Sequence, residues 1–242
     1  MSGARAGISG STVSVYRLPG PALRRRAVRQ PEGRPHVPYD CDFAGLDRRA
    51  RAVAAGLGRL LPPGSRVLLD YPEGADLAGA FYGCLYAGMA AVPLVAGGPD
   101  GPGAVAEAVE RCRPAAVLTG GDAWTALAVD RTRTQVVEAD GRRMGGEPVS
   151  RLAGEWRPVG VLRTAPAYER YVADGLGGGR MEPALRHGDL ADVVGELSSA
   201  AGMGTPEDSL GWIASVHGLE DAVWRMLLPV QAPRGPRPLG LV

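Results

Sequence analysis

Between Phe43 and Leu61 the apolar residues Leu46, Ala50, Val53, Leu57 and Leu60 recur at alternating spacings of four and three, with arginines on the opposite side. That period predicts an amphipathic helix, which Pro62-Pro63-Gly64 ends. A short apolar run, Val67-Leu68-Leu69, then stops at Tyr71-Pro72, where proline excludes a helix just upstream. From Ala75 to Gly88 the pattern is helical again, with Leu77, Phe81 and Leu85 four residues apart. Ala75, Gly79, Gly83 and Ala87 form a second line of small residues at the same spacing, which predicts that the helix backbone sits close to a sheet. Ala90 to Leu94 reads as a second buried strand. Strand, helix and strand make a βαβ unit, and that predicts a parallel sheet.

The alternation continues with a loop over 97–103, a helix over Ala104 to Cys112 and a strand over Ala115 to Leu118. Another helix follows over Ala123 to Val129, then a strand over Gln135 to Glu138. The stretch 141–158 reads as irregular and exposed, and Val159 to Thr164 as a return to the sheet. Residues 1–15 are rich in glycine and serine and read as a disordered tail, 18–30 as a short basic helix, and 31–38 as a turn-rich connector. Three prolines in 231–242 make that segment an extended terminus or docking tail. The expectation is one α/β domain over 16–230, with three layers and a mostly parallel sheet flanked by helices.

Composition removes some functions. All 27 basic residues are arginine, and neither lysine nor asparagine occurs. No side-chain amine is therefore available for Schiff-base chemistry or as a compact phosphate-binding charge. A net charge of +1 with scattered arginines argues against nucleic acid as a partner. The densest basic run, Arg24-Arg25-Arg26, reads as a solvated helix face. Cys41, Cys84 and Cys112 lack metal-ligand spacing, which predicts reduced thiols in a cytoplasmic protein and no metal. Leu77 to Pro99 is uncharged, but it holds seven glycines or prolines and switches from helical to extended near Gly88. Such a segment would strand its backbone in lipid, so no membrane span is expected. The first thirty residues lack the apolar core of a secretion signal.

The segments LDRRARAVAAGL (Leu46 to Leu57), RVLLDYPEG and AFYGCLYAGMAAVPL together resemble the amino-terminal region of adenylate-forming acyl ligases. Within that superfamily the resemblance is to fatty acyl-AMP ligases, which carry a similar FxGCLYAG-x-x-AVP segment. The fold it implies is the opening portion of the adenylating domain. It also implies a Thr/Ser/Gly-rich loop ending in Pro-Lys-Gly that wraps ATP phosphates. The matching place is Tyr171 to Leu190, where His187-Gly188-Asp189-Leu190 keeps the family's helix opening. Here the loop Asp174 to Arg180 has no Ser, Thr or Lys, and Asp174 and Glu182 bring carboxylates that repel phosphate. The chain stops soon after Pro229, before the family's adenine, ribose and acid motifs and its mobile carboxy-terminal domain. The expectation is a truncated, degenerate relative, a pseudoenzyme with no nucleotide cofactor.

Gly211 to His217 followed by Leu227-Leu228-Pro229 resembles the family's strand–His–helix segment beside the acyl pocket. His217 matches the family histidine, while Gly218 stands where the family has Asp, and Glu220 and Asp221 follow. With a helix beginning near Gly218, both carboxylates fall in its first turn on the imidazole side. Two readings stay open. In one the carboxylates complement the helix dipole and His217 is an inherited pocket wall; in the other His217 with Asp221 or Glu220 does acid–base work on an acyl or polyketide chain. A Ser215/His217/Asp221 hydrolase lacks the strained Gly-x-Ser-x-Gly turn. Trp212, Ser215, Tyr168 and Tyr171 are the candidate substrate contacts.

Three functions follow as expectations. The chain binds an acyl or polyketide molecule, free or on a carrier protein, in lipid or secondary metabolism without adenylating it. Alternatively it is a repurposed dehydratase, cyclase or isomerase, or it is a ligase fragment completed by a separate subunit. A sheet edge left open would favour a homodimer.

Overall fold

A computed structural model describes residues 43–94, 102–120, 129–173 and 179–231. The helix predicted first forms as α1 (Phe43–Leu60), followed by β1 (Arg66–Asp70), α2 (Ala75–Tyr86) and β2 (Ala90–Pro93). Next come α3 (Pro102–Cys112), β3 (Ala116–Thr119) and β4 (Gln135–Glu138). β1 pairs in parallel with β2 and with β3, and β3 in parallel with β4. With β7 (Pro166–Tyr168) parallel to β2 and β10 (Leu185–Arg186) antiparallel at the far edge, the six-stranded order is β10-β7-β2-β1-β3-β4. The fold is the expected mostly parallel sheet flanked by helices.

The period-2 alternation of the strands divides the core. Val67 and Leu69 of β1 face a large cluster that includes α1 and α2, whereas Leu68, Val92 and Val117 meet Val105, Ala108, Val109 and Cys112 of α3 on the other face. A strand buried on both faces has no polar side to alternate with, which is why these runs read as continuously apolar. The glycines of the small-residue line face α1 and not the sheet as expected: a Cβ on Gly79 would meet Arg49, and one on Gly83 would overlap Val53 and come within 3.1 Å of the Ala50 carbonyl, so α1 and α2 approach closely. Arg49 bonds Asp76 at 2.7 Å, and the Tyr86 hydroxyl donates to Asp47 at 3.1 Å, tying the two helices together.

Two expectations are corrected. The stretch 141–158 is not irregular: β5 (Arg143–Met144) and β6 (Glu147–Pro148) form a hairpin, and α4 (Val149–Glu155) follows. Met144, Val149, Leu152 and Ala153 are buried, and Trp156 stacks on Tyr86 at 5.1 Å. The spacing of 149, 152 and 153 is helical, but the stretch is too short for that signal to stand out from its charged surroundings. Residues 159–164 form no strand of the six-stranded sheet, Leu162 making a single bridge only; the strand is Pro166–Tyr168. The carbonyls of Arg163 and Ala165 instead accept the Gly188 and His187 amides, satisfying the start of α5 (His187–Gly202).

The readings of residues 1–38, Cys41, the loop before α3, the helix placed at 123–129 (apart from Val129) and the tail beyond Gln231 lie outside the described residues. Among the described residues no helix is long and apolar enough to cross a membrane.

Candidate functional site

The place that the resemblance assigns to phosphate binding begins where β7 leaves the sheet. Its flanks form a hairpin, β8 (Tyr171–Ala173) antiparallel to β9 (Gly179–Met181), and residues 174–178 between them lie outside the described residues. Two contacts pin this hairpin to α3: the Tyr171 hydroxyl donates to Glu107 at 2.9 Å, and the Cys112 thiol lies 3.1 Å from the Met181 sulfur. Burial pushes the Cys112 thiol up to about 12, so it behaves as a packing group.

Around the hairpin two guanidinium groups share one carboxylate. Arg180 donates to Glu182 Oε1 at 3.1 Å, and Arg170 donates through Nε to Glu182 Oε2 at 2.8 Å, with a second bond from its terminal nitrogen. The Arg180 bond, and then Arg170, hold the Glu182 carboxyl below the usual carboxylate range. The two guanidinium groups nearest the loop therefore already have an anion.

His187 opens α5 as the resemblance implies, with its side chain 1% exposed. Burial lowers its imidazole from the ordinary 6.5 to about 4. The unfolded chain then takes up a proton between about pH 6.5 and 4 that the folded chain refuses, so acidification through that window destabilises the fold. Burial acts oppositely on Asp70 and Glu220, raising both. The His187 contribution is isolated by difference. We expect His187→Gln to flatten the fall in urea midpoint between pH 6.5 and 4 relative to the parent.

The segment around His217 is a helix, not a strand. α6 (Glu207–Val216) runs through Trp212 and Ser215, buries Leu210 and Ala214, and ends with His217 at its C-cap before Gly218 at φ 78°. An i, i+4 apolar pair behind Pro206 with acids in the first turn is a helix signal, and it outweighs the strand-like run Trp212-Ile213. Ser215 and His217 thus project from different sides, and the Ser215 hydroxyl donates to the Trp212 carbonyl at 2.8 Å. The next helix, α7 (Asp221–Gln231), starts three residues beyond Gly218.

These bounds separate the predicted pair. His217 Nε2 lies 3.2 Å from Glu196 Oε2, Asp221 accepts the Trp224 indole N–H at 3.2 Å, and Glu220 accepts the Tyr168 hydroxyl at 3.2 Å. Tyr168 is 1% exposed, and burial, with Glu220 second, pushes its phenol well above the ordinary value. Trp212 is 68% exposed, and Tyr171 lies at the hairpin. The structure brings Tyr168 and Glu220 together and leaves Trp212, Ser215 and Tyr171 apart from them. The 52-residue separation of the Tyr168–Glu220 pair leaves no local signal that could have found it. Among the described residues no group of three His, Cys, Asp or Glu side chains could hold a metal ion.

A second polar group sits at the carboxyl ends of the parallel strands, where open α/β sheets usually take ligands. Asp70, Thr119 and Glu138 are in register there, and Thr119 donates to Asp70 at 3.2 Å. Tyr71 fills the adjoining space, donating to the Ala139 carbonyl at 2.7 Å and packing 3.5 Å from the position a Gly120 Cβ would take.

Comparison with known proteins agrees with this architecture. Residues 23–168 match the family described as AMP-binding enzyme. The long-chain-fatty-acid–AMP ligase FadD32 of Mycolicibacterium smegmatis is 43% identical over 86 residues, 34% of this chain and 13% of the relative. The medium-chain-fatty-acid–[acyl-carrier-protein] ligase JamA of Moorena producens is 43% identical over 51 residues, 21% of this chain and 9% of the relative. The chain thus spans a small part of the curated relatives it matches. Among solved structures, a fatty acyl-adenylate ligase from L. pneumophila in complex with acyl adenylate and pyrophosphate superposes with a TM-score of 0.54. The identity is 23%, over 66% of this chain and 27% of that one, a likeness of fold.

Proposed function

Because the chain belongs to the AMP-binding enzyme family, we propose that it is a member that binds an acyl chain, free or on a carrier protein, without building an acyl-adenylate. The observation that carries this reading is Glu182. Phosphate recognition needs donors and uncompensated positive charge. Both arginines at the phosphate-loop position instead share one carboxylate of the same hairpin, which offsets half of their charge, and the loop supplies neither hydroxyl nor lysine. An incoming triphosphate would have to displace Glu182 and then sit beside it. The acyl half of the reading is supported by relatives named for fatty acids and for acyl carrier protein. Buried thiols fit such a role in the cytoplasm.

Acid–base chemistry by His217 with Asp221 or Glu220 has less support, since each group is engaged by a different partner. Isothermal titration tests the proposal. An acyl-phosphopantetheine mimic should release or absorb heat saturably on addition to the full chain, and ATP with magnesium should not. Magnesium-dependent ATP binding would overturn the proposal, and so would silence toward every acyl ligand.

A further inference from the structure

The exposed apolar surface of the carboxy-terminal helices is concentrated on the outer sides of α5 and α6. On α5, Asp192, Glu196, Ser199 and Met203 follow at spacings of four, three and four, so they share one stripe, and all are exposed. On α6, Asp208, Trp212, Ser215 and Val216 face outward while Leu210 and Ala214 are buried. Met203 is 80%, Trp212 68% and Val216 62% exposed. The two stripes meet where the His217 imidazole, next in the chain to Val216, bonds Glu196. A tryptophan left in water inside such a patch marks a contact surface.

The charge of this face says what fits it. Its exposed carboxylates are Asp192, Glu196 and Asp208, and no arginine occurs between His187 and Trp224. Arg163 bonds Asp192 and Arg225 pairs with Glu207 from outside that stretch, but among the described residues no arginine pairs with Glu196 or Asp208. Residues 1–31 have the opposite character: six arginines, no carboxylate, and Tyr16, Leu18, Leu23 and Val28 interleaved with Arg17, Arg24, Arg25, Arg26 and Arg29.

We propose that the segment Tyr16 to Arg29 docks on the α5–α6 face, its apolar residues covering Trp212 and Val216 and its arginine run meeting Glu196 and Asp208. Reach is not limiting. Residues 30–42 join the segment to α1 and can span roughly 45 Å when extended, against a radius of gyration of about 18 Å for a domain of this size. Two acidic faces of separate copies would repel, which disfavours a symmetric contact between them.

The test labels the full chain with 5-fluorotryptophan and identifies the Trp212 resonance by its loss in Trp212→Phe. The H2O/D2O isotope shift of that resonance reports its exposure to solvent. It is compared between the parent and the triple variant Arg24→Glu, Arg25→Glu, Arg26→Glu, with the Trp156 and Trp224 resonances confirming an intact fold. The expected shift is roughly twofold smaller in the parent at low salt, the difference closing near 1 M NaCl, where charges are screened within about 3 Å. The salt series on the parent alone decides the matter should the variant not fold. Equal, salt-independent exposure of Trp212 would overturn the proposal, as would protection that grows with protein concentration, which would make the occupant a second copy.

Discussion

Gly83→Leu should destabilise the protein by about 3 kcal/mol or more, the upper range for forcing atoms into a filled core. The position lies where α1 and α2 touch. Its missing Cβ would overlap Val53, and backbone at Ala50 blocks the alternative direction. A leucine must therefore separate two helices that carry much of the larger core cluster. Against a typical total of about 5–15 kcal/mol, that loss lowers the urea midpoint sharply. Gly83→Ala combined with Val53→Ala tests the cause. If the clash is the mechanism, the double variant should be more stable than the sum of the single changes predicts, by about 0.5–3 kcal/mol. Strict additivity would place the loss elsewhere.

Arg66→Met should cost about 1–3 kcal/mol, the range for leaving a buried hydrogen-bonding group without its partner, since the Arg66 end of the pair is partly exposed. Glu169 is 7% exposed and accepts the Arg66 guanidinium, whose other arm reaches the Cys112 carbonyl. Removing the arginine leaves a carboxylate with little water to replace it. Arg66→Met with Glu169→Leu removes both charges and should recover most of the stability, because the pair itself adds little over an apolar replacement. Urea unfolding of the three chains at pH 7 checks both the loss and the recovery. An Arg66→Met chain as stable as the parent would refute the argument.

The sheet and its first helices were legible because each is written in local period. α1 and α2 show the 3.6-residue repeat, and β1, β2 and β3 are short runs with nowhere polar to face. The hairpin at Arg143 and the short helix Val149–Glu155 were not legible, since two or three apolar residues among charges do not make a period. At the candidate site the missing lysine, serine and threonine of the phosphate loop could be seen in the chain. That Glu182 also occupies both arginines could not, because side-chain pairing depends on how the hairpin folds back. The His217 pairing failed for a related reason. A strand and a helix differ by a rotation of about 80° per residue, and that difference decides which neighbours a side chain meets.

Alone, the sequence determined the family, the parallel βαβ frame and the absence of any amine side chain, all properties of residue identity and short-range spacing. The tertiary structure decided which charges pair, that Tyr168 meets Glu220 while His217 meets Glu196, and that Trp212 is left facing water. The Tyr168–Glu220 contact joins residues 52 positions apart, and the Glu182 contacts depend on how the hairpin folds back. Their energies depend on burial and distance, which exist only once the chain has packed.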